Sequence, residues 1–378
     1  MQNKRRLVID TFSEVFDLLE PWADETFYDF SQVNPVLGST YVIGRQQLIS
    51  NKEKIRDLAE SDDYQVIFGN SAEGAWTLES QLKQLRVDDL ARQHRLLLIA
   101  GAPVDPRYRA LVHEHFLPRI LDYQETEIAQ QSTDKIFTKQ NKPYKFLFLN
   151  GRCRPHRRYL MERLKQLGVL DSSLWTMLDS KPLPQNYYQL LDDAGNDVIA
   201  TPSPIRHLPR KYEVDRYRDS RIDTILIGRT MIKQELFKQE WGEIYLTPEP
   251  YVDTYFSLVS ETITYESNYS FRTEKIAKPL AMGHPFIVAA NQGFYRDLRN
   301  IGFQTFSDLI DESFDTIEDA QQRMNRIVEV VDDLCQQDLD SFVKGCENAC
   351  KYNQQRLREI REQERKQFPD RFLKFINE

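Results

Sequence analysis

The chain has 378 residues, 50 Lys and Arg against 58 Asp and Glu, and a formal net charge of −8. That length exceeds one ordinary domain and fits two of roughly 150 to 200 residues, while the acidic balance argues against a surface given over as a whole to nucleic acid. Four cysteines without zinc-type spacing, and a basic start with only a short apolar run, predict reduced thiols in a cytoplasmic protein with no secretory leader and no membrane span.

Arg6-Leu7-Val8-Ile9-Asp10 predicts a strand ending where Asp10-Thr11-Phe12-Ser13 opens a helix through Val15, Leu18 and Leu19. A looser region rich in Pro, Gly and aromatics follows. Tyr64 to Phe68 then predicts a strand, Gly69-Asn70-Ser71-Ala72-Glu73-Gly74 its turn, Leu78, Leu82 and Leu85 a helix, and Leu96 to Gly101 a second strand. This is a βαβ unit, and its turn lacks the Gly-Lys-Ser/Thr ending of a P-loop, which excludes that class of nucleoside triphosphatase.

The polar stretch from Gln130 to Lys142 marks a linker, and Tyr144 to Leu149 the strand after it. Asn150-Gly151-Arg152-Cys153-Arg154-Pro155-His156-Arg157-Arg158 then enters a helix carrying Leu160, Leu164 and Leu167. Arginine forks match phosphate oxygens, and positive charge at a helix N-terminus opposes the macrodipole, so this loop expects an anion. The alternative is a solvated basic helix start. Asp223 to Gly228 and Glu243 to Thr247 predict further strands.

Ser257 to Ser260 predicts a strand that stops at Glu261 and gives way to a polar, aromatic loop. Thr273 offers an N-cap oxygen; Ile276, Leu280 and Met282 give the following helix an apolar side; Gly283 closes it, and Phe286 to Ala290 is the next buried strand. In open α/β sheets ligands sit outside the carboxyl ends of the strands, which places Glu274 to accept from ribose hydroxyls and Lys275 to neutralise part of a diphosphate. A capped helix with a solvated Glu-Lys pair is the plainer alternative. From Ile317 the positions Ala320, Met324, Ile327, Val331 and Leu334 keep helical spacing, and Tyr352 to Lys374 is a charged amphipathic helix. Cys346 and Cys350, one helical turn apart with no histidine nearby, read as packing residues.

Glu261-Thr262, Phe271-Arg272-Thr273-Glu274-Lys275-Ile276, Lys278-Pro279, Gly283 and Pro285 resemble the donor-binding region of the alpha-1,3-fucosyltransferases. More loosely, Gly293, Leu298, Gly302-Phe303, Phe306 and residues 311–315, with the Asn150 to Arg158 opening, resemble phage and bacterial glycosyltransferase-like proteins. Those fucosyltransferases carry Glu-Asn where this chain has Glu261-Thr262, so fucose specificity does not carry over. The alternating elements together with the resemblance imply an α/β protein of two Rossmann-like, doubly wound domains facing a cleft, the GT-B arrangement, with a C-terminal helical tail. The expected domains are 1–140 on the acceptor side, 141–340 for the nucleotide-sugar, and 341–378 as a helix returning to the first domain.

The chemistry implied is metal-independent transfer from a nucleotide-sugar to an acceptor hydroxyl, with no further cofactor. Arg152, Arg154, Arg157, Glu261, Thr273, Glu274 and Lys275 would bind the donor, and no Asp-x-Asp follows a strand. Glu73 and Asp10 are the expected bases, followed by His113 and His115 on the acceptor side. Arg216 and Arg218, in a basic run with interleaved tyrosines, would suit a polyanionic acceptor. The acceptor is a glycan or a modified base in phage DNA; the alternative is a non-catalytic nucleotide- or nucleic-acid-binding protein.

Overall fold

A computed structural model describes residues 5–72, 75–121, 134–180, 189–209, 212, 224–227, 230–233, 248–264 and 270–378. It is a mixed α/β structure that divides into two units. The first holds Met1–Pro118, Thr224–Ile232 and Ile360–Glu378; the second holds Arg119–Asp223 and Lys233–Glu359. The expected junction at residue 140 thus falls inside the second unit.

In the first unit, strands β1 (Arg6–Asp10), β2 (Glu25–Phe27), β3 (Ser39–Ile43), β4 (Gln65–Asn70), β5 (Leu96–Ala100) and β6 (Ala110–Val112) form one sheet. Its order is β2-β1-β3-β4-β5-β6, and every neighbouring pair is parallel. A parallel sheet needs cover on both faces, and the period of two along each strand supplies two apolar sets. Val8, Tyr41, Ile43, Val66, Phe68, Leu96 and Leu98 share one core with residues of α2 (Arg45–Ser50), α3 (Lys52–Glu60), α4 (Ala75–Gln84) and α5 (Asp88–Arg92). Leu7, Ile9, Val42, Ile67, Leu97 and Ile99 form the other, with Phe16 and Leu19 of α1 (Phe16–Leu19) and with Phe368, Phe372 and Phe375. The region read as loose between β1 and β4 therefore holds two strands and two helices.

The second unit's sheet joins β7 (Tyr144–Phe148), β8 (Leu174–Trp175), β11 (Thr254–Ser260) and β12 (Phe286–Ala289) in the order β12-β11-β7-β8, again all parallel. Every residue of β11 is buried, as a central strand covered on both faces requires. Between them in sequence, β9 (Thr224–Ile227) and β10 (Thr230–Lys233) make a separate two-stranded ladder, so the strand expected near residue 225 does not join the four-stranded sheet. The strand expected at Glu243 to Thr247 lies outside the described residues.

Helix α6 (Pro155–Gln166) follows β7, α7 (Glu274–Met282) follows β11, and α8 (Phe294–Asn300) follows β12. Gly283 closes α7 with φ of 62°, the left-handed conformation that glycine adopts without strain. Helix α9 (Ala320–Cys335) lies against α6 and β12 and starts later than the Ile317 expected, because the Asp319 side chain accepts from Gln322 N and fixes its first turn. Helix α10 (Leu339–Asn377) begins in the second unit and ends in the first.

Candidate functional site

Chain order alone locates one crevice in each sheet. In the second unit β8 lies on one side of β7 and β11 on the other, so the strand order reverses between β7 and β11, the position where open α/β sheets hold ligands. Asn150, just beyond β7, meets Ser260, the last residue of β11: Ser260 Oγ donates to Asn150 Oδ1 at 2.7 Å. Asn150 is 1% exposed, and its Nδ2 has no hydrogen-bond partner among the described residues. A buried amide donor left over at this point is costly unless a ligand or water accepts from it.

The three helices that leave this edge begin differently. Glu261 fills the N-terminus of α7: its Oε1 accepts from Thr273 N and Ile276 N, each at 3.2 Å, and its Oε2 from Thr273 Oγ1 at 2.6 Å and Thr262 N at 3.2 Å. Thr273 Oγ1 in turn accepts from Lys275 N. Asp315 fills the N-terminus of α8, accepting from Tyr295 N at 2.9 Å and Arg296 N at 3.1 Å. The N-cap and first turn of α6 supply no carboxylate of their own. Its N-cap residue, Arg154, makes no side-chain cap bond, Pro155 occupies the first turn, and no acidic residue follows it there.

Cations surround that third N-terminus. Arg157 is 3% exposed and donates to the carbonyls of Arg152 and Ser260, tying the loop to the end of β11. Arg154 is half-buried and Arg152 exposed. His156 is fully buried, donates from Nε2 to Glu261 O at 2.9 Å and accepts at Nδ1 from Thr264 Oγ1 at 3.3 Å. Burial, followed by the charges of Arg157 and Arg154 and, more weakly, Lys275, holds this imidazole far below its ordinary range, so it stays neutral and serves as a pin. Arg158 pairs with Glu162 and donates to Pro202 O, away from the loop.

The residues expected on a donor thus divide. Glu261 and Thr273 are engaged in the cap of α7. Burial pushes the Glu261 carboxyl up, against Lys275 and the Thr273 donors. Glu274 is 6% exposed and accepts from Lys275 Nζ at 2.6 Å; burial alone would raise its pKa, but the ammonium of Lys275 and then Lys278 outweigh it and hold it below the usual range. Arg152, Arg154 and Arg157 share one loop, and Lys275 is close enough for its charge to act on His156. His284, between Gly283 and Pro285, is spoken for: Ser257 Oγ contacts Nδ1 at 2.9 Å and Nε2 donates to Thr254 O at 3.0 Å. Burial, then the Lys142 charge, lowers it to about 3.

Sequence reasoning passed over Arg323, which is 2% exposed and donates to the carbonyls of Ala290, Ile317, Glu318 and Thr264. It ties together the chain leaving β11 and β12. Its only signal in the sequence was an arginine on the apolar side of α9, flanked by Met324 and Ile327.

In the first unit the order reverses between β1 and β3. Asp10 closes that crevice: fully buried, it accepts from Phe12 N at 3.0 Å and Gly44 N at 2.9 Å. A Cβ on Gly44 would stand 2.9 Å from Asp10 Oδ2, so glycine is required there. Burial raises Asp10 to about 6 in spite of those two N–H donors. As a base it is poorly placed, since both oxygens already serve backbone groups. His113 Nδ1 meets Glu364 at 3.0 Å and its ring lies against Phe368. His115 contacts Ser71. Glu73, Arg216 and Arg218 lie outside the described residues.

Among the described residues no group of three or more His, Cys, Asp or Glu side chains is arranged to hold a metal ion, and no helix is long and apolar enough to cross a membrane. No protein-family model matches the chain, and neither curated proteins nor solved structures give a match.

Proposed function

We propose that the protein is a glycosyltransferase that moves a sugar from a nucleotide-sugar to an acceptor hydroxyl, with the donor's diphosphate held at the carboxyl edge of β7 and β11. One observation carries the reading. Of the three helices at that edge, two have their N-termini filled by the chain's own carboxylates, Glu261 and Asp315, and the third, α6, is instead ringed by Arg152, Arg154 and Arg157. A helix N-terminus and clustered guanidinium groups both favour an anion, and the spare Nδ2 of Asn150 adds a neutral donor.

Cleavage of a glycosyl–phosphate bond develops negative charge on the leaving diphosphate. Cations fixed in place before the reaction stabilise that state more than the ground state, and this difference is what accelerates the step. Arg157, held by two carbonyls, and Arg154 are the fixed charges in this reading; Arg152 is the adaptable one. Buried Glu274 and half-buried Lys275 pair at the start of α7 beside them, and the acceptor is a glycan or a modified base.

The test is thermal unfolding of the full chain with UDP-, GDP-, ADP-, CMP- and dTDP-sugars. A ligand at about a hundred times its Kd stabilises by roughly 2.7 kcal/mol, a shift of a few degrees. One nucleotide series should raise the midpoint of the wild type by about twice as much as that of Arg154→Gln, or more. If none does, and inorganic pyrophosphate is equally silent, the loop is not an anion site and the reading falls.

A further inference from the structure

The carboxyl edge of the second unit continues past the crevice onto β8, and a further donor is left over there. Trp175 ends β8, opposite Phe148 of β7. It is 7% exposed, and its Nε1 has no hydrogen-bond partner among the described residues. An indole N–H only donates, so what it lacks is an acceptor. The guanidinium of Arg206 lies over the same ring, 4.6 Å from its centroid. Arg206 is exposed, and among the described residues its side chain makes this ring contact and no ion pair or hydrogen bond.

The backbone of this arginine is fixed, and its charge is not. Arg206 N donates to Met177 O at 2.8 Å, and Met177 N to Arg206 O at 2.9 Å. Just before it in the chain, Ser203 N donates to Ser180 O at 3.1 Å, Ser203 Oγ contacts Cys153 Sγ at 3.2 Å, and Pro202 O accepts from Arg158 at 3.1 Å. The exit of β8 is fastened to the exit of β7 in the same way: Asn150 N donates to Thr176 Oγ1 at 2.9 Å, and Leu178 N to the carbonyls of Asn150 and Gly151. A guanidinium held by an aromatic face alone keeps its N–H donors for another partner, and its flexible stem lets it turn toward one without moving the backbone. Arg206 also opens the basic run whose later members include Arg216 and Arg218.

We infer that the end of β8 is a second oxyanion site, in which Trp175 Nε1 and the Arg206 guanidinium donate to one carboxylate or phosphate group. An oxyanion answers both groups at once: it accepts, as the indole N–H requires, and it is negative, as the guanidinium favours. A neutral hydroxyl would serve Trp175 and leave the charge of Arg206 unused. The site is built apart from the side chains of Arg152, Arg154 and Arg157 and does not depend on what they bind. Only the source of the anion rests on the proposed function: beside a donor's diphosphate it is the carboxylate of an acidic sugar, and without that reaction it is a free phosphate.

The experiment is NMR of the full chain with 15N-tryptophan. Of the four indole N–H signals, that of Trp175 is the one retained in each of Trp22→Phe, Trp76→Phe and Trp241→Phe, which leave the site itself unaltered. Phosphate, acetate, glucuronate and, as an uncharged ring, methyl glucoside are titrated at constant ionic strength. A saturable downfield shift of the Trp175 signal by an anion and not by methyl glucoside, weakened about tenfold by Arg206→Gln and less by Arg206→Lys, supports the site. Tightest binding of glucuronate then identifies an acidic sugar, and tightest binding of phosphate a free phosphate. No shift from any anion, an equal shift by methyl glucoside, or an affinity indifferent to Arg206→Gln overturns it. Nucleotide-sugars that leave the melting midpoint unmoved while phosphate shifts Trp175 would remove the proposed reaction alone; stabilisation by a nucleotide-sugar with Trp175 unmoved by every anion would remove this site alone.

Discussion

The two crevices, built from the same strand order, are finished with opposite chemistry. In the first unit the β1/β3 position is closed from within: Asp10 takes the N–H groups of Phe12 and Gly44, and Gly44 allows the approach. In the second unit the β7/β11 position is lined by Asn150, Arg154 and Arg157, while Glu261 and Glu274 are engaged at the start of α7. The difference shows that topology marks where a ligand fits, and side-chain accounting decides whether the place is already taken.

The largest expected effect tests how firmly the second crevice is framed. Glu261→Ala strands four donors, three of them buried at the N-cap and first turn of α7, and should lower the unfolding free energy by about 3 kcal/mol or more, read from urea denaturation. A loss below about 1 kcal/mol would mean that α7 begins without it.

Acid and base should act on the two units in opposite senses. Asp10, at about 6 in the folded chain against about 3.9 unfolded, contributes stability that is fully present below pH 4 and lost as pH rises through 6, roughly 3 kcal/mol in all. Asp10→Asn should flatten that slope. His284, at about 3 against about 6.5 unfolded, runs the other way: its contribution is intact above pH 6.5 and falls by roughly 3 kcal/mol by pH 4.5. Urea midpoints from pH 4 to 8, read by fluorescence in variants that keep only Trp22 or only Trp175 of the four tryptophans, separate the two; parallel slopes would sink the contrast.

Smaller effects sharpen it further. Arg154→Gln should weaken nucleotide-sugar affinity by about ten- to a hundredfold, measured by calorimetry, since one charge-assisted hydrogen bond to phosphate is worth about 1.5 to 3 kcal/mol. Arg152→Gln, at an exposed position, should leave stability within about 0.5 kcal/mol while still weakening binding severalfold. If Arg152→Gln changes neither, that side chain has no part in the site.

Much of the frame was legible. β1, β5, β7 and β12 are apolar runs with turn residues at their ends, and Thr273 and Gly283 bracket α7 as their chemistry demands. The segment from Glu25 to Glu60 was not legible, because β2 has three residues and is exposed at two of them, and β3 carries Ser39 and Thr40, whose burial follows from their place beside β1 and β4 rather than from hydropathy. The basic loop before α6 was legible as charge. Its partition was not: which arginines meet carbonyls, that His156 is a neutral pin, and that Glu261 serves α7 all depend on contacts more than a hundred residues apart or across a loop.

Helix α10 gives the molecule a schedule of synthesis. Residues up to Pro118 leave the ribosome with one face of their sheet covered only in part, by Phe16 and Leu19 of α1, since Leu7, Ile9, Val42 and Leu97 await Phe368, Phe372 and Phe375. Roughly 240 residues separate the two segments, which at 5 to 20 residues per second is on the order of ten to fifty seconds. Throughout that interval the nascent first unit carries an apolar surface that a chaperone can hold and a neighbouring chain can capture, so its assembly waits on the second unit being made.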